Sequence, residues 1–220
     1  MVKLKWLGHA AWLVFYRDTT IIIDPYLTNN PKAPMKADEI EKLDYIFITH
    51  DHFDHLGDAF DLAKRTGAKT VSIFEISNMA TEAGVPQENA IGMNKGSGLV
   101  SLGSLKVSLT HADHSGHEVG FVIDGDGKTI YHAGDTALFG DMSLIGQLYR
   151  PSVAILPIGG FYTMGPREAA MAADLIGAGI SIPMHYNTFP AIEQNPDSFT
   201  SQIKNGKGKV LKVGEEYEIP

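Results

Sequence analysis

The chain has 220 residues, 44% of them apolar, and a formal net charge of −8 with histidine neutral. That length fits one large domain or two small ones with a sizeable core, and an acidic chain without a basic run is unsuited to tight non-specific binding of nucleic acid. There are no cysteines, which excludes disulfides, thiolate metal sites, iron–sulfur clusters and cysteine nucleophiles and leaves His, Asp and Glu as the metal donors.

The N-terminus, Met1-Val2-Lys3-Leu4-Lys5-Trp6-Leu7-Gly8-His9, lacks the apolar core of a signal peptide, and no apolar run nears the length of a membrane span. A cytoplasmic protein is expected. Strand-like runs follow at Val2 to Leu7, Ala11 to Phe15, Thr20 to Ile23 and Tyr45 to Ile48. Arg17-Asp18 suits a hairpin turn between the second and third, and Asp24-Pro25 ends the third. The polar stretch Asn29 to Lys42, with Pro31 and Pro34, is either a lid or a plain connector. The run Tyr45 to Ile48 leads into His50-Asp51-His52-Phe53-Asp54-His55. His50 and His52 point the same way in an extended chain. Asp54 and His55 follow on the turn and can face a second ion. These donors suit zinc or a similar transition metal, so the segment reads as a metal grip in preference to a solvated polar loop.

Leu56, Ala59, Phe60 and Ala63 then recur at helical spacing, with Gly67 as a stop. Thr70 to Phe74 is the next predicted strand, and Ile76, Met79, Ala80 and Ala83 mark a helix closed by Gly84. Gly92 to Gly103 reads as loop and turn. Further strands are predicted at Leu105 to Thr110, Val119 to Asp124, Thr129 to His132, Val153 to Pro157 and Ile180 to Met184, with Asp126-Gly127 a hairpin turn. Helices are predicted over Ser143 to Tyr149, Pro166 to Ile176 and Pro196 to Lys204, the last with Asn195 as N-cap. Val210 to Val213 and Tyr217 to Ile219 close the sheet. Each half, roughly residues 1–100 and 101–220, is a block of mostly antiparallel strands followed by alternating strands and helices. Nothing resembling a linker divides them, so one domain over 1–220 is expected, an α/β (α+β) sandwich of two packed sheets with helices outside.

Four more strands run into residues of metal-ligand type. They lead into His111-Ala112-Asp113-His114-Ser115-Gly116-His117, Ala133-Gly134-Asp135-Thr136, His185-Tyr186-Asn187 and Asp24-Pro25. Polar side chains placed just after apolar strands are how a rigid scaffold presents a site at one sheet edge.

With the His50–His55 cluster, a following histidine, Gly134-Asp135-Thr136 and His185 in this order, the chain resembles the metallo-β-lactamase superfamily over essentially its whole length. Leu7-Gly8-His9, Tyr131-His132-Ala133-Gly134-Asp135-Thr136, Pro157-Ile158-Gly159-Gly160, Thr163-Met164-Gly165-Pro166 and Pro183-Met184-His185-Tyr186 are similar to a branch of small metal-dependent hydrolases near the ascorbate-6-phosphate lactonases. The resemblance implies a four-layered αββα sandwich with two divalent metal ions at one edge, zinc being the first expectation and Mn²⁺, Fe²⁺ and Ni²⁺ the alternatives. It implies His50, His52 and a histidine of 111–117 on the first ion, and Asp54, His55 and His185 on the second. Asp135 would bridge both. In similar proteins the third ligand of the first ion precedes Ser or a small residue and Gly, which selects His114, with His111 next. Asp24 takes the position of a structural aspartate that holds the metal loop. His9 and His132 are left open between donors behind the ligands and satisfied core histidines.

The activity so implied is metal-dependent hydrolysis. A hydroxide activated between ions roughly 3.5–4 Å apart would attack an ester, lactone, amide or phosphodiester of a small metabolite, with Asp54 orienting it. An iron-dependent oxidoreductase and a non-catalytic metal-binding scaffold are the rivals. Flavodiiron proteins resemble a pattern with Glu where this chain has His52, and a scaffold loses ligands, whereas every ligand position here is filled. Gly159 to Pro166 could cradle an anionic group at a helix start or simply be a tight loop. Arg167 and Tyr186 are candidate substrate contacts. A small-molecule substrate is expected, with neither nucleic acid nor membrane as partner, and self-association into a homo-oligomer is left open.

Overall fold

Two apolar patterns decide the strands. Lys3-Leu4-Lys5-Trp6 alternates, burying one face, whereas Ile21-Ile22-Ile23 and Val153-Ala154-Ile155-Leu156-Pro157 are apolar throughout and buried throughout. Continuous runs of the second kind suit parallel strands covered on both sides. The computed structural model describes residues 1–220. In it β1 (Lys3–Trp6), β2 (Trp12–Phe15), β3 (Thr20–Ile23), β4 (Tyr45–Phe47), β5 (Lys69–Ile73), β6 (Ala90–Met93) and the C-terminal β14 (Glu216–Glu218) form a seven-stranded sheet in the order β14-β1-β2-β3-β4-β5-β6. The second sheet is built from β7 (Val100–Leu102), β8 (Leu105–Thr110), β9 (Gly120–Gly125), β10 (Lys128–His132), β11 (Val153–Pro157), β12 (Ile180–Met184) and β13 (Lys207–Gly208). It is also seven-stranded, in the order β13-β12-β11-β10-β9-β8-β7. Each sheet is antiparallel on one side and parallel on the other, with β3 and β10 at the change.

The sheets pack face to face, with Phe47 and Phe121 meeting edge-on at 5.1 Å between them. One hydrophobic cluster of 59 buried residues draws on both. Helices α1 (Phe53–Leu56), α2 (Ala59–Thr66) and α3 (Phe74–Glu82) belong to the first sheet, where α2 packs on β5 and α3 on β5 and β6. Helices α4 (Met142–Tyr149), α5 (Pro166–Ile176) and α6 (Asp197–Thr200) belong to the second, where α5 packs on β11 and is flanked by α4 and α6. The result is the αββα sandwich. No helix is long and apolar enough to cross a membrane.

Four local expectations need correction. The helix expected from Leu56 to Gly67 is two helices, because Gly57 turns at φ +42° and lies so close to Pro25 that a Cβ there would sit 2.6 Å from its carbonyl oxygen. The expected Gly92–Gly103 loop holds the end of β6 and all of β7; Gly92 pairs with Ser72 in the sheet, and α3 crosses it so closely that a Cβ there would sit 3.1 Å from side-chain atoms of Phe74 and Ser77. The last helix is a single turn. Asn195 Oδ1 does accept the Asp197 N–H (3.0 Å), but Asp174 Oδ1 takes the amides of Lys204 and Asn205 at 2.8 Å each and draws the chain away. Val210 to Val213 is not a strand, because it carries the chain from β13 at the edge of one sheet to β14 at the edge of the other. Asp126-Gly127 has positive φ at both residues (50° and 74°), as a two-residue hairpin of this hand requires.

The loops after parallel strands β3, β4, β10 and β12 all leave from carboxyl ends, which is where open α/β sheets place their sites.

Candidate metal centre

The centre is built on a buried carboxylate. Asp24, immediately after β3, is fully buried and held at φ +46°. Its oxygens accept the Thr49 N–H (2.8 Å), the Thr49 Oγ1–H (2.7 Å) and the His55 Nδ1–H (2.8 Å). With its proton given to Asp24, Thr49 Oγ1 can only accept from His50 Nδ1, 3.0 Å away. Both imidazoles thereby commit Nδ1 to a protein partner and turn Nε2 inward as the nitrogen each would offer a metal, the usual function of partners behind metal-binding histidines.

His50 Nε2 lies 3.0 Å from His52 Nδ1, and His114 Nε2 lies 3.3 Å from the same atom. These three form one group able to hold an ion. Asp54, His55, His185 and His9 form a second, with His185 Nε2 3.8 Å and His9 Nε2 3.0 Å from Asp54 Oδ2. Between them, Asp135 Oδ2 is 3.0 Å from His185 Nε2, 3.3 Å from His55 Nε2, 3.7 Å from His114 Nε2 and 4.0 Å from His50 Nε2. These approaches lack hydrogen-bond angles, so His55 Nε2, both ring nitrogens of His185 and Asp135 Oδ1 are buried without a partner. Buried polar atoms that converge and remain unsatisfied fit a metal ion.

The charges agree. Burial pushes the Asp135 carboxyl up, but the His185 and His55 rings outweigh it and hold the group well below the usual carboxylate range. Asp24 and Asp54 are also lowered, burial again opposing, through His55 in the first case and through the His9 hydrogen bond and His55 in the second. None of the three carboxylates has a Lys or Arg partner. His55 is raised well above 6.5, because Asp135 and Asp24 on either side outweigh its burial. Three ionised carboxylates with no Lys or Arg beside them form a site that suits divalent cations.

Burial lowers His9 to about 4, His50 to about 2 and His132 to about 4. In the unfolded chain these groups titrate near 6.5, so below that pH the unfolded state binds more protons and stability is lost. His55 has the opposite sign. Its contribution is complete below 6.5 and is lost only as pH rises through its raised value. The lowered carboxylates contribute above about pH 4. Chelated protein is therefore expected to lose stability steeply from pH 6.5 to 4, by up to about 1.4 kcal/mol per pH unit for each of the three histidines. Urea titrations across that interval would read this directly, and a constant midpoint would contradict it.

Of the residues singled out from the sequence, His50, His52, Asp54, His55, His114, Asp135 and His185 converge. His111 does not; it is exposed with its ring against Phe139 at 4.8 Å. His132 is a core histidine, donating from Nε2 to Ala10 O (3.3 Å) and accepting the Gly134 N–H at Nδ1 (3.2 Å). His9 is drawn in at the tip of the β1–β2 hairpin with φ +55°. Its Nδ1 meets Thr188 Oγ1 at 2.9 Å, and its carbonyl accepts the amide of His185, itself at φ +55°. Being neutral, His9 donates from Nε2 to Asp54. Tyr186 is buried against Trp6 (5.4 Å) and Arg167 is exposed; neither lines the cavity above the cluster. The Asn29–Lys42 segment does not line it either and is a connector pinned at Ile40 O by Arg65. In the Gly159–Pro166 loop the amides of Gly160, Thr163 and Met164 are already bonded within the protein, and Gly159 packs against the His185 carbonyl where a Cβ would come within 2.4 Å.

Sequence reasoning missed Asp51. Its carboxylate accepts the His117 N–H (3.1 Å) and ring Nδ1–H (3.0 Å), and Gly116 at φ +97° leaves room for it. This clip docks the loop carrying His114 alongside His50 and His52. The alternation Asp51-His52 hinted at a side chain facing away from the ligands, but its partner lies 66 residues on.

Residues 19–186 match the model of the beta-lactamase superfamily domain. A UPF0173 metal-dependent hydrolase of Caldivirga maquilingensis is 48% identical over 100% of this chain and 99% of its own, and one of Methanopyrus kandleri is 44% identical over 99% and 100%. Among solved structures, Igni18, a metallo hydrolase of Ignicoccus hospitalis, superposes with a TM-score of 0.91 at 40% identity, covering 100% of this chain and 99% of its own. Sheet order, the donor cluster at the strand ends and full-length similarity coincide: the chain belongs to the metallo-β-lactamase superfamily, within its UPF0173 group of metal-dependent hydrolases.

Proposed function

We propose that the protein hydrolyses an ester, lactone or phosphodiester of a small cytoplasmic metabolite at a two-metal centre. The observation that carries this reading is the position of Asp135 Oδ2, within 4.0 Å of histidine nitrogens from both donor groups. His50, His52 and His114 would hold one ion, Asp54, His55 and His185 the other, and Asp135 both. Zinc is the first expectation, and the N/O donor set also admits Mn²⁺, Fe²⁺ and Ni²⁺. Bound divalent ions supply Lewis acidity and bring the pKa of water toward neutrality.

The remaining work belongs to the chain. Asp24 and Thr49 keep His55 and His50 in the ligating tautomer. His9 secures Asp54 through Oδ2, and Asp54, which lines the cavity, would orient the reacting water as well as hold metal. No side-chain nucleophile is needed. Treatment with a strong chelator is expected to abolish hydrolysis across a panel of lactones, phosphodiesters and thioesters, and Zn²⁺ or Mn²⁺ to restore it. Turnover that persists in metal-free protein would contradict the proposal.

A further inference from the structure

The cavity over the donor cluster has a volume of about 500 Å³, large enough for a small organic molecule. Its floor is the cluster. Its walls are Phe53, Tyr162, Phe189, Ala191 and Ser115, and neither Lys nor Arg lines it. Phe53 is 70% exposed and Tyr162 56%, although both are large apolar side chains. Two of the walls are anchored: Phe53 sits edge-on to buried Tyr26 at 5.8 Å and Phe189 packs against the buried His9 ring at 5.5 Å, whereas Tyr162 meets Phe161, itself 78% exposed, at 4.8 Å. Exposed aromatic surface held in place beside a concave polar floor marks a ligand site. Of the nearby glycine-rich loop only Tyr162 lines the cavity, and the Gly160, Thr163 and Met164 amides are bonded internally.

We propose that the site takes an uncharged ester or lactone whose non-reacting part is aromatic or branched alkyl, seated between Phe53, Phe189 and Tyr162, and that it rejects substrates with a phosphate or carboxylate tail. This rests on the two-metal hydrolase reading and narrows it. The scissile carbonyl lies toward the cluster and the apolar tail toward the aromatic walls. An anionic tail placed against those walls would give up part of its hydration and meet no Lys or Arg side chain in return. In the reaction the oxygen of water adds to the acyl carbon as the acyl C–O bond breaks; one proton leaves with the alcohol and the other is released from the acid.

Non-hydrolysable hydroxamates separate the substrate class from the metal centre. Zinc-loaded full-length protein is titrated with acetohydroxamate, 4-phenylbutyrohydroxamate and 3-phosphonopropionohydroxamate, with binding measured by calorimetry. The phenyl tail is expected to tighten binding about 10- to 100-fold over acetohydroxamate, the gain from burying an aromatic group, and the phosphonate tail to weaken it. In Phe53→Ala and Phe189→Ala the phenyl-to-methyl ratio is expected to fall about 10-fold. Phe53 is exposed enough that its variant keeps the fold. Equal affinities for all tails, or a preference for the phosphonate, would overturn the substrate class and leave the metal centre standing. No binding of any hydroxamate, together with no retained zinc, would overturn the metal centre and this inference with it.

Discussion

Asp135→Ala is expected to lower kcat/KM by about 10³-fold or more while the protein remains folded, with metal content falling in parallel. The reason is geometric. Asp135 follows β10 and is the only carboxylate whose oxygen reaches both donor groups. Without it, His50, His52 and His114 keep only neutral donors, and His55 and His185 lose the charge that draws a cation. Stability suffers less. Asp135 Oδ1 is unpartnered and Oδ2 makes close approaches without hydrogen bonds, so its removal takes away a buried negative charge and strands few donors. Metal analysis beside a thermal melt separates the two effects. A variant with normal metal content and normal turnover would contradict the role given to Asp135.

The second large effect is expected at Asp24, with the opposite balance. Asp24→Ala leaves the Thr49 N–H, the Thr49 hydroxyl and the His55 Nδ1–H without their acceptor at the centre of the molecule. Breaking one side of such a buried network costs about 3–5 kcal/mol, which lowers the melting temperature of a chain this size by about 6–20 °C. Metal binding falls as well, because His55 loses the partner that fixes its tautomer. Asp24→Asn restores shape and one acceptor, so it is expected to recover much of the stability and little of the metal. A melting temperature equal to wild type in Asp24→Ala would show that the network does not support the fold.

The side chains that converge on the candidate centre were legible because each stands in a short local pattern at the end of an apolar run: His50, His52, Asp54 and His55 after β4, Asp135 after β10, His185 after β12. Strand ends are read from neighbours in sequence, and topology then gathers them at one edge. What the sequence hid depends on approach through space. His9 gains its function from hairpin geometry that drives a left-handed residue against Asp54, and Asp51 from a partner on a distant loop. Phe53 and Phe189 look like core residues until the fold places them at a cavity wall. The same limit applies to the fold. β6 and β7 were hidden by glycines that close packing by α3 and a sharp turn require. Val210 to Val213 has strand-like composition but spans between sheets whose edges are already taken by β13 and β14.

The proposed centre holds two ions that share one carboxylate, Asp135. Anomalous diffraction at the zinc edge from zinc-loaded crystals tests that most directly. Two peaks per chain are expected, one among His50, His52 and His114, the other among Asp54, His55 and His185, with Asp135 beside both. A single peak, zinc bound away from these residues, or no zinc retained at all would contradict the account.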